Sequence, residues 1–326
     1  MVVVGAGIIG LSCAIRLQQR GLRAAIVSAD PPERTVSALA AAVWYPTRTD
    51  AAPRVLDQAR RTFEEFAAQA RTPATGVVMR PTRMLLRAPV DEPPWWAAAV
   101  PDLRYCPDTT TGPTGVVAEW RCTVPTVEMR PYLSWLLDRF RTAGGVLHQQ
   151  RLAALSEAAE VAPIVVNATG LAAGRLAADP AVHPVRGQVV VVANPGVATS
   201  VRDEGHPAGA AYVHPRRRDV VLGGTFEPLT AAPDDDPSDL DGVRPDPATS
   251  RAIRARCAEL VPEVAAAPVL DQYVGMRPAR HGGARVDIDP GPPAGISRLV
   301  HCYGHGGAGM TLSWGCADEV AALVTR

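Results

Sequence analysis

Gly5-Ala6-Gly7-Ile8-Ile9-Gly10 is the first stretch of this 326-residue chain whose residue types and spacing could do chemistry. It lies between an apolar β-branched run, Val2-Val3-Val4, and a helical pattern from Leu11 to Arg20. A G-x-G-x-x-G turn in that setting gathers backbone N–H groups and the positive end of a helix dipole at one point, which suits a pyrophosphate. Gly5 permits the tight turn, Gly7 lets the phosphates approach the backbone, and Gly10 lets helix and strand pack closely. Gly21 ends the helix, Arg23 to Val27 reads as a second strand, and Asp30 follows twenty residues after Gly10. An acidic group at that distance binds ribose hydroxyls, so the segment predicts a bound dinucleotide without separating a nicotinamide from a flavin.

Two other residues could hold a substrate. Arg277 follows a strand-like run and precedes Pro278, so its backbone is held rigidly, and its planar fork matches a carboxylate bidentately. Every basic residue in the chain is Arg, however, so the same position also reads as an ordinary surface cation. Tyr212 carries a hydroxyl that could join Arg277, although an isolated tyrosine on an apolar strand is more often core. Cys13, Cys106, Cys122, Cys257, Cys302 and Cys316 form no CxxC pair and no metal-like spacing with His, which predicts buried or free thiols and no metal. The chain holds no Ser-His-Asp set and no P-loop.

The elements that must position these residues are legible in outline. Arg54 to Ala70 and Arg130 to Ala143 are amphipathic helices, the second closed by Gly144-Gly145. Met79 to Leu86 and Val116 to Cys122 read as strands, with a Pro-rich loop through Pro93-Pro94-Trp95-Trp96 to Thr114 between them. Ile164 to Gly170 is a buried strand ending in a tight turn; Val189 to Val192 and Asp219 to Gly224 are further strands. Leu229 to Pro247 is acidic and Pro-rich and reads as a solvated loop, followed by a helix at Ser250 to Leu260, a strand at Arg298 to Cys302 and a closing helix at Leu312 to Val324. Hydrophobic residues make up 47% of the chain, enough for a large core, and 33 basic against 33 acidic residues leave no field to draw nucleic acid or a membrane surface. No apolar run approaches the roughly 20 residues of a membrane span, and the chain opens on a strand with no signal-peptide pattern, so the expectation is a cytoplasmic protein. The exclusive use of Arg looks like the codon bias of a GC-rich bacterial genome.

The sequence resembles the FAD-dependent D-amino acid oxidases, a family that includes the D-aspartate oxidases. The likeness covers most of the chain and rests on ordered motifs: Val4 to Leu11; Ala40-Ala41-Ala42-Val43-Trp44; Val166-Asn167-Ala168-Thr169-Gly170; Pro184-Val185-Arg186-Gly187-Gln188; Tyr212-Val213-His214-Pro215 with Leu222-Gly223-Gly224-Thr225; Gly275-Met276-Arg277-Pro278-Ala279-Arg280; and Tyr303 to Thr311 with Trp314-Gly315-Cys316-Ala317. The resemblance implies an α/β fold with a Rossmann-type FAD-binding domain (1–50, 140–187 and 271–326) interleaved with a substrate domain on a mixed or antiparallel sheet (51–139 and 188–270). It implies FAD contacts from Gly5, Ala6, Gly7, Ile8, Ile9, Gly10, Asp30, Thr35, Ser37, Ala41, Ala42, Val43, Leu152, Thr169, Gly170, Gly304, Gly306, Gly307, Ala308, Gly309, Met310 and Thr311. The four glycines of 304–309, set before a helix, would expose N–H donors where negative charge develops on the reduced ring.

The implied reaction has little acid–base machinery. The substrate carboxylate docks on Arg277 and Tyr212, with Gly307, Tyr45 and His214 lining the pocket. Hydride leaves the α-carbon for flavin N5, the imino acid hydrolyses to a 2-oxo acid and ammonia, and O2 reoxidises the flavin to give H2O2. The implied partners are a small D-amino acid and O2, with neither nucleic acid nor membrane, and the protein is expected to be a monomer or homodimer.

The chain also departs from the family. Ala208 stands in a short run (205–211) where vertebrate members carry a lid tyrosine, Tyr45 replaces a pocket Gln, and Ala308 replaces an aromatic. His214 stands where an aliphatic residue is usual. Phe226 follows Gly223-Gly224-Thr225 where D-aspartate oxidases tend to have Arg, which favours neutral D-amino acids, whereas Arg202 in Val201-Arg202-Asp203 resembles a position from which those enzymes read an acidic side chain. A D-aspartate or D-glutamate oxidase, a glycine- or sarcosine-type amine oxidase, an NAD-dependent dehydrogenase and a flavin protein without turnover remain the alternatives.

Overall fold

Val2–Val4 is wholly apolar because both its faces are covered, and it forms the centre of a parallel sheet. In the computed structural model, which describes residues 1–46, 48–107, 112–229 and 244–325, this sheet has six strands in the order 285–288, 298–303, 164–167, 2–4, 25–28 and 146–149. All pairings are parallel except that of 285–288 with 298–303. Ile8–Gln19 packs on it together with Met129–Thr142 and Gly309–Thr325, and Pro53–Gln69 crosses the last of these helices. Their apolar faces meet in one large core that includes Trp44, Phe66, Tyr132, Phe140 and Trp314.

The second sheet has nine strands. Strand 182–193 lies inside it, flanked along its length by 269–280 and on the other side by 219–223 and 227–228. The sheet continues through 211–215, 200–203, 77–86, 118–127 and 104–107, antiparallel throughout except where 77–86 meets 200–203. Pro247–Leu260 covers one face with Ile253, Cys257 and Leu260. Its N-cap Asp246 accepts from the N–H groups of Ala248 and Thr249. The fold is thus the mixed α/β architecture anticipated from the sequence: a parallel, Rossmann-type sheet joined to a mixed, largely antiparallel one.

The regular helices and Val-rich strands lie within a few residues of their expected positions. Strands 104–107, 146–149, 200–203 and 285–288 are short and polar or edge-placed, and carry no strong period-2 signal. The strand-like run expected before Arg277 is part of strand 269–280, which is exposed at its start, continues through Pro278 and pairs with 182–193 from end to end. The boundaries expected at 187/188 and 270/271 cut across this strand pair, and helix Pro53–Gln69 keeps company with the first sheet's helices. Residues 230–243 of the expected acidic loop lie outside the described residues. No helix of the described residues is long and apolar enough to cross a membrane.

Helices 53–69 and 309–325 cross without space for a side chain at Gly315: a Cβ there would run into the backbone of Gln58, and the Gly315 N–H donates to Thr62 Oγ1 at 2.9 Å. Gly315→Ala returns about 1 kcal/mol of helix propensity but incurs overpacking at the upper end of about 1–3 kcal/mol, because the obstacle is backbone. The thermal midpoint should therefore fall by several degrees; an unchanged or higher midpoint would contradict so close a crossing.

Candidate active site

The C-terminal ends of strands 2–4, 25–28 and 164–167 and one face of the second sheet enclose a cavity of about 710 Å³. At one end stands the start of helix Ile8–Gln19. Gly7 is the extended N-cap residue and has no side chain to occupy the position. The Ile8 N–H donates to Ser37 Oγ at 3.0 Å, which brings that hydroxyl to the mouth of the helix. The turn closes only with glycine: a Cβ on Gly5, at φ +112°, would meet the Ala168 carbonyl, and one on Gly10 would meet the Gly5 carbonyl. Gly10 therefore lies beneath the turn rather than on the cavity wall, as its packing role requires.

Along the cavity, Asp30 faces Arg151 at 3.5 Å, and Leu152, Thr169 and Gly170 line the wall. Thr35 Oγ1 is turned to the Pro32 carbonyl at 2.7 Å. Asn167 orders the 168–170 turn by accepting from Thr169 N (3.2 Å) and Oγ1 (2.7 Å), and is itself held by His301 Nδ1 at 3.2 Å. The 41–45 segment runs along the opposite wall. Ala42 has φ +57°, and Val127 N donates to its carbonyl at 2.9 Å. Thr311 Oγ1 accepts from Tyr45 N at 3.1 Å and donates to Tyr45 O at 3.0 Å, so this hydroxyl locks the segment in place. Gly304, Gly306, Gly307, Gly309 and Met310 line the floor, while Ala308 is fully buried behind it.

The other end is built on the second sheet. Antiparallel pairing sets Tyr212 opposite Arg202 and Gly223, and alternation puts His214 on the same face as Tyr212. The Tyr212 ring lies over Gly223 and the Arg277 guanidinium over Gly187; a Cβ on either glycine would occupy their space. Arg277 donates to Thr225 O at 3.2 Å and Arg186 O at 3.4 Å, and no carboxylate pairs with it among the described residues. Burial raises the Tyr212 hydroxyl pKa above its ordinary value, against the pull of Arg277, so it remains a protonated donor.

His214 stacks on Tyr212 with ring centroids 4.5 Å apart and planes 11° apart, and its Nδ1 meets Ser200 Oγ at 2.6 Å. Burial, reinforced by Arg202, holds its imidazole neutral, well below the ordinary pKa. Tyr45 is pushed up to about 12 by burial, with Glu204 adding to the shift and Arg202 opposing it. Three further residues of this end escape a reading of the sequence. Arg256, 8% exposed, donates to Ala208 O at 3.1 Å and Gly224 O at 3.5 Å. Glu204 contacts Tyr45 and Arg202, and the Arg48 guanidinium lies 3.9 Å from the Phe226 ring centroid. In an Arg-rich chain only the fold separates such arginines from surface ones.

The arrangement is that of a dinucleotide-dependent oxidoreductase: a helix N-terminus opening on glycine and an acidic group at one end of an elongated cavity, and at the other a cation with no carboxylate partner among the described residues. Residues 1–323 match the family model described as FAD dependent oxidoreductase, and the chain belongs to that family. It is 46% identical to a D-amino-acid oxidase of Rubrobacter xylanophilus over 322 residues, covering 99% of this chain and 94% of that one. It is 39% identical to a D-amino-acid oxidase of Streptomyces coelicolor over 327 residues, covering 100% and 96%. In structure it is similar to a glycine oxidase from Geobacillus kaustophilus, with a TM-score of 0.78 at 20% identity and coverage of 100% and 94%, a likeness of fold. The residues present fit FAD: the helix mouth, which opens on Gly7 beside the Ser37 hydroxyl, suits a pyrophosphate and the small residues of 40–43 and 304–309 leave room for a flat ring system.

His214 also predicts a pH effect on stability. Its folded pKa lies below the unfolded value of about 6.5, so between those two values the unfolded chain binds more protons. The contribution is complete above the unfolded pKa and is lost as pH falls. The thermal midpoint of His214→Leu should therefore drop less between pH 7 and pH 5 than that of the parent, with the residual drop shared by His301, whose pKa burial also lowers. Parallel curves for the two proteins would show that His214 is not buried neutral.

Proposed function

We propose that this protein is an FAD-dependent D-amino acid oxidase acting preferentially on neutral side chains, with Arg277 and Tyr212 as its carboxylate anchor. The observation that carries the reading is the Arg277 guanidinium, backed onto Gly187 and the carbonyls of Thr225 and Arg186 with no acid of its own among the described residues. A cation so placed, facing a cavity beside a protonated tyrosine, is matched by an anionic ligand group of carboxylate shape. The full-length identity to D-amino-acid oxidases supports the same assignment.

In this reading Gly7, Ile8, Ser37 and Asp30 hold the phosphates and ribose, while the 41–43, 169–170 and 304–311 segments hold the ring. FAD, when bound, supplies the two-electron acceptor for the α-carbon hydride and returns the electrons to O2, with H2O2 as product. The protein's own task is positioning. Arg277 and Tyr212 fix the carboxylate at two points, and the stacked His214 limits rotation of the Tyr212 ring. Neutral His214 adds no charge to the pocket, and Phe226 offers an apolar surface to the side chain. The first sheet and its helices would form the FAD unit and the second sheet the substrate unit. We place the enzyme in the cytoplasm, where its six free cysteines would stay reduced. Its oligomeric state, monomer or homodimer, is open to direct measurement.

The test is the anaerobic visible spectrum of the purified protein before and after adding D-Ala, D-Val, D-Asp and their L-forms. The flavin band should bleach with D-Ala and D-Val, resist the L-forms, and return with peroxide on admission of air. Arg277→Leu should retain the oxidised spectrum and lose about 10²- to 10⁴-fold in kcat/KM, the effect of losing a bidentate anchor that also orients the α-carbon. A parent protein that stays oxidised with every D-amino acid, or an Arg277→Leu variant with near-parental turnover, would overturn the assignment.

A further inference from the structure

We infer that Glu204 masks Arg202 and so sets this enzyme against acidic side chains; the inference rests on the oxidase reading above and concerns the side-chain end of the same cavity. Arg202 stands directly across the strand pair from Tyr212, so its guanidinium emerges beside the proposed carboxylate anchor and on the cavity wall. Its side chain is only 11% exposed. A cation in that position would take a second carboxylate from a D-aspartate or D-glutamate side chain, were it free to do so.

It is not free. The guanidinium carbon lies 3.6 Å from the Tyr45 ring centroid, and Nη2 donates to Glu204 Oε1 at 3.2 Å. Tyr45 Oη donates to the other carboxylate oxygen, Oε2, at 3.2 Å, so both oxygens of Glu204 are engaged and its charge is held against Arg202. The three residues close on one another, all of them lining the cavity. The Arg202 Nε is buried with no hydrogen-bond partner among the described residues, leaving unused donor capacity. A dicarboxylic substrate approaching this wall meets a neutralised cation and the negative charge of Glu204; a neutral side chain pays neither penalty. Arg256 and Arg48 also line the cavity but are differently engaged: Arg256 with the carbonyls of Ala208 and Gly224, and Arg48 over Phe226.

Glu204→Gln keeps the size of the side chain and removes its charge. The ratio of kcat/KM for D-Asp to that for D-Ala should rise about ten- to a hundred-fold, the value of a charge-assisted hydrogen bond made available. The gain should fall mainly in KM for D-Asp. Calorimetric titration with malonate, an unreactive dicarboxylate, should show tighter binding in the same variant, independent of turnover. The double variant Arg202→Met/Glu204→Gln should lose both gains, and Tyr45→Phe, which releases one oxygen of Glu204, should show a smaller gain of the same sign should Glu204→Gln fail to fold.

An unchanged ratio and unchanged malonate affinity in Glu204→Gln would overturn the mask. So would a gain that survives in the double variant, which would assign the reading to Arg256 or Arg48. A parent enzyme already fastest on D-Asp would overturn it while leaving the oxidase reading intact, whereas failure of every D-amino acid to reduce the parent flavin removes both.

Discussion

A guanidinium placed at a cavity wall with no carboxylate partner among the described residues is the constraint around which the second sheet is arranged. Desolvating a cation is costly, and a protein ordinarily offsets the cost with an internal acid. Here Arg277 is given carbonyl oxygens and the bare face of Gly187 instead. The neighbouring ring of Tyr212 needs Gly223 for the same reason, because the two strands leave no room for anything larger. These glycines weaken their strands, and the loss is tolerated because 182–193 is paired along both edges and buried through its Val run.

The first sheet meets a parallel demand at the opposite end of the cavity. Its helix opens on Gly7, whose lack of a side chain leaves the helix mouth to the Ser37 hydroxyl and the cavity, and the Gly5 and Gly10 contacts bring strand, turn and helix close together. What holds the floor is polar. Asp179 accepts from Arg280 Nε and from Tyr303 Oη, each at 2.8 Å, and Arg285 reaches the same tyrosine at 3.1 Å, tying strand 298–303 to the end of 269–280. The two sheets are thus joined at the residue run that leads directly into Gly304–Gly309. The hydrogen-bond supports draw the carboxyl pKa of Asp179 down despite the burial that opposes them, so the joint is charged at neutral pH. On the substrate side, Tyr45 belongs to the first unit's loop but packs against Arg202 and Glu204 of the second sheet. This wall of the cavity is therefore built at the junction rather than by either sheet alone.

The elements most legible from the sequence are those in which one physical requirement fills every position. Val2–Val4, Ile164–Asn167 and Val189–Val192 are buried on both sides and so are nearly all apolar, and Met129–Thr142 shows its buried stripe plainly. Strand 269–280 was legible only as a strand-like run before Arg277, because Gly275, Arg277 and Pro278 spoil the alternation that would show its full length. The glycine turn was readable because backbone geometry alone demands glycine at Gly5 and Gly10. Ser37 and Thr311 were readable as candidates, but the bonds of their hydroxyls, to Ile8 and to Tyr45, were not. At the other end, Arg277, Tyr212, Tyr45 and His214 were named from the sequence and line the cavity; Arg256 and Glu204 reach it from segments with no local mark of function.

The sequence by itself determined the fold class, the dinucleotide-binding turn and the family, because these rest on short-range spacing: a β-branched run, a glycine triplet, and ordered motifs that need no knowledge of distant neighbours. Only the tertiary structure decided which of 33 arginines face the cavity and which of them carry a counter-charge. Such pairings depend on strand register and on contacts between residues more than a hundred positions apart, as with Tyr45 and Glu204, and no local pattern encodes them. The charge on this wall of the cavity is set by that register, and so it became visible only once the strands were paired.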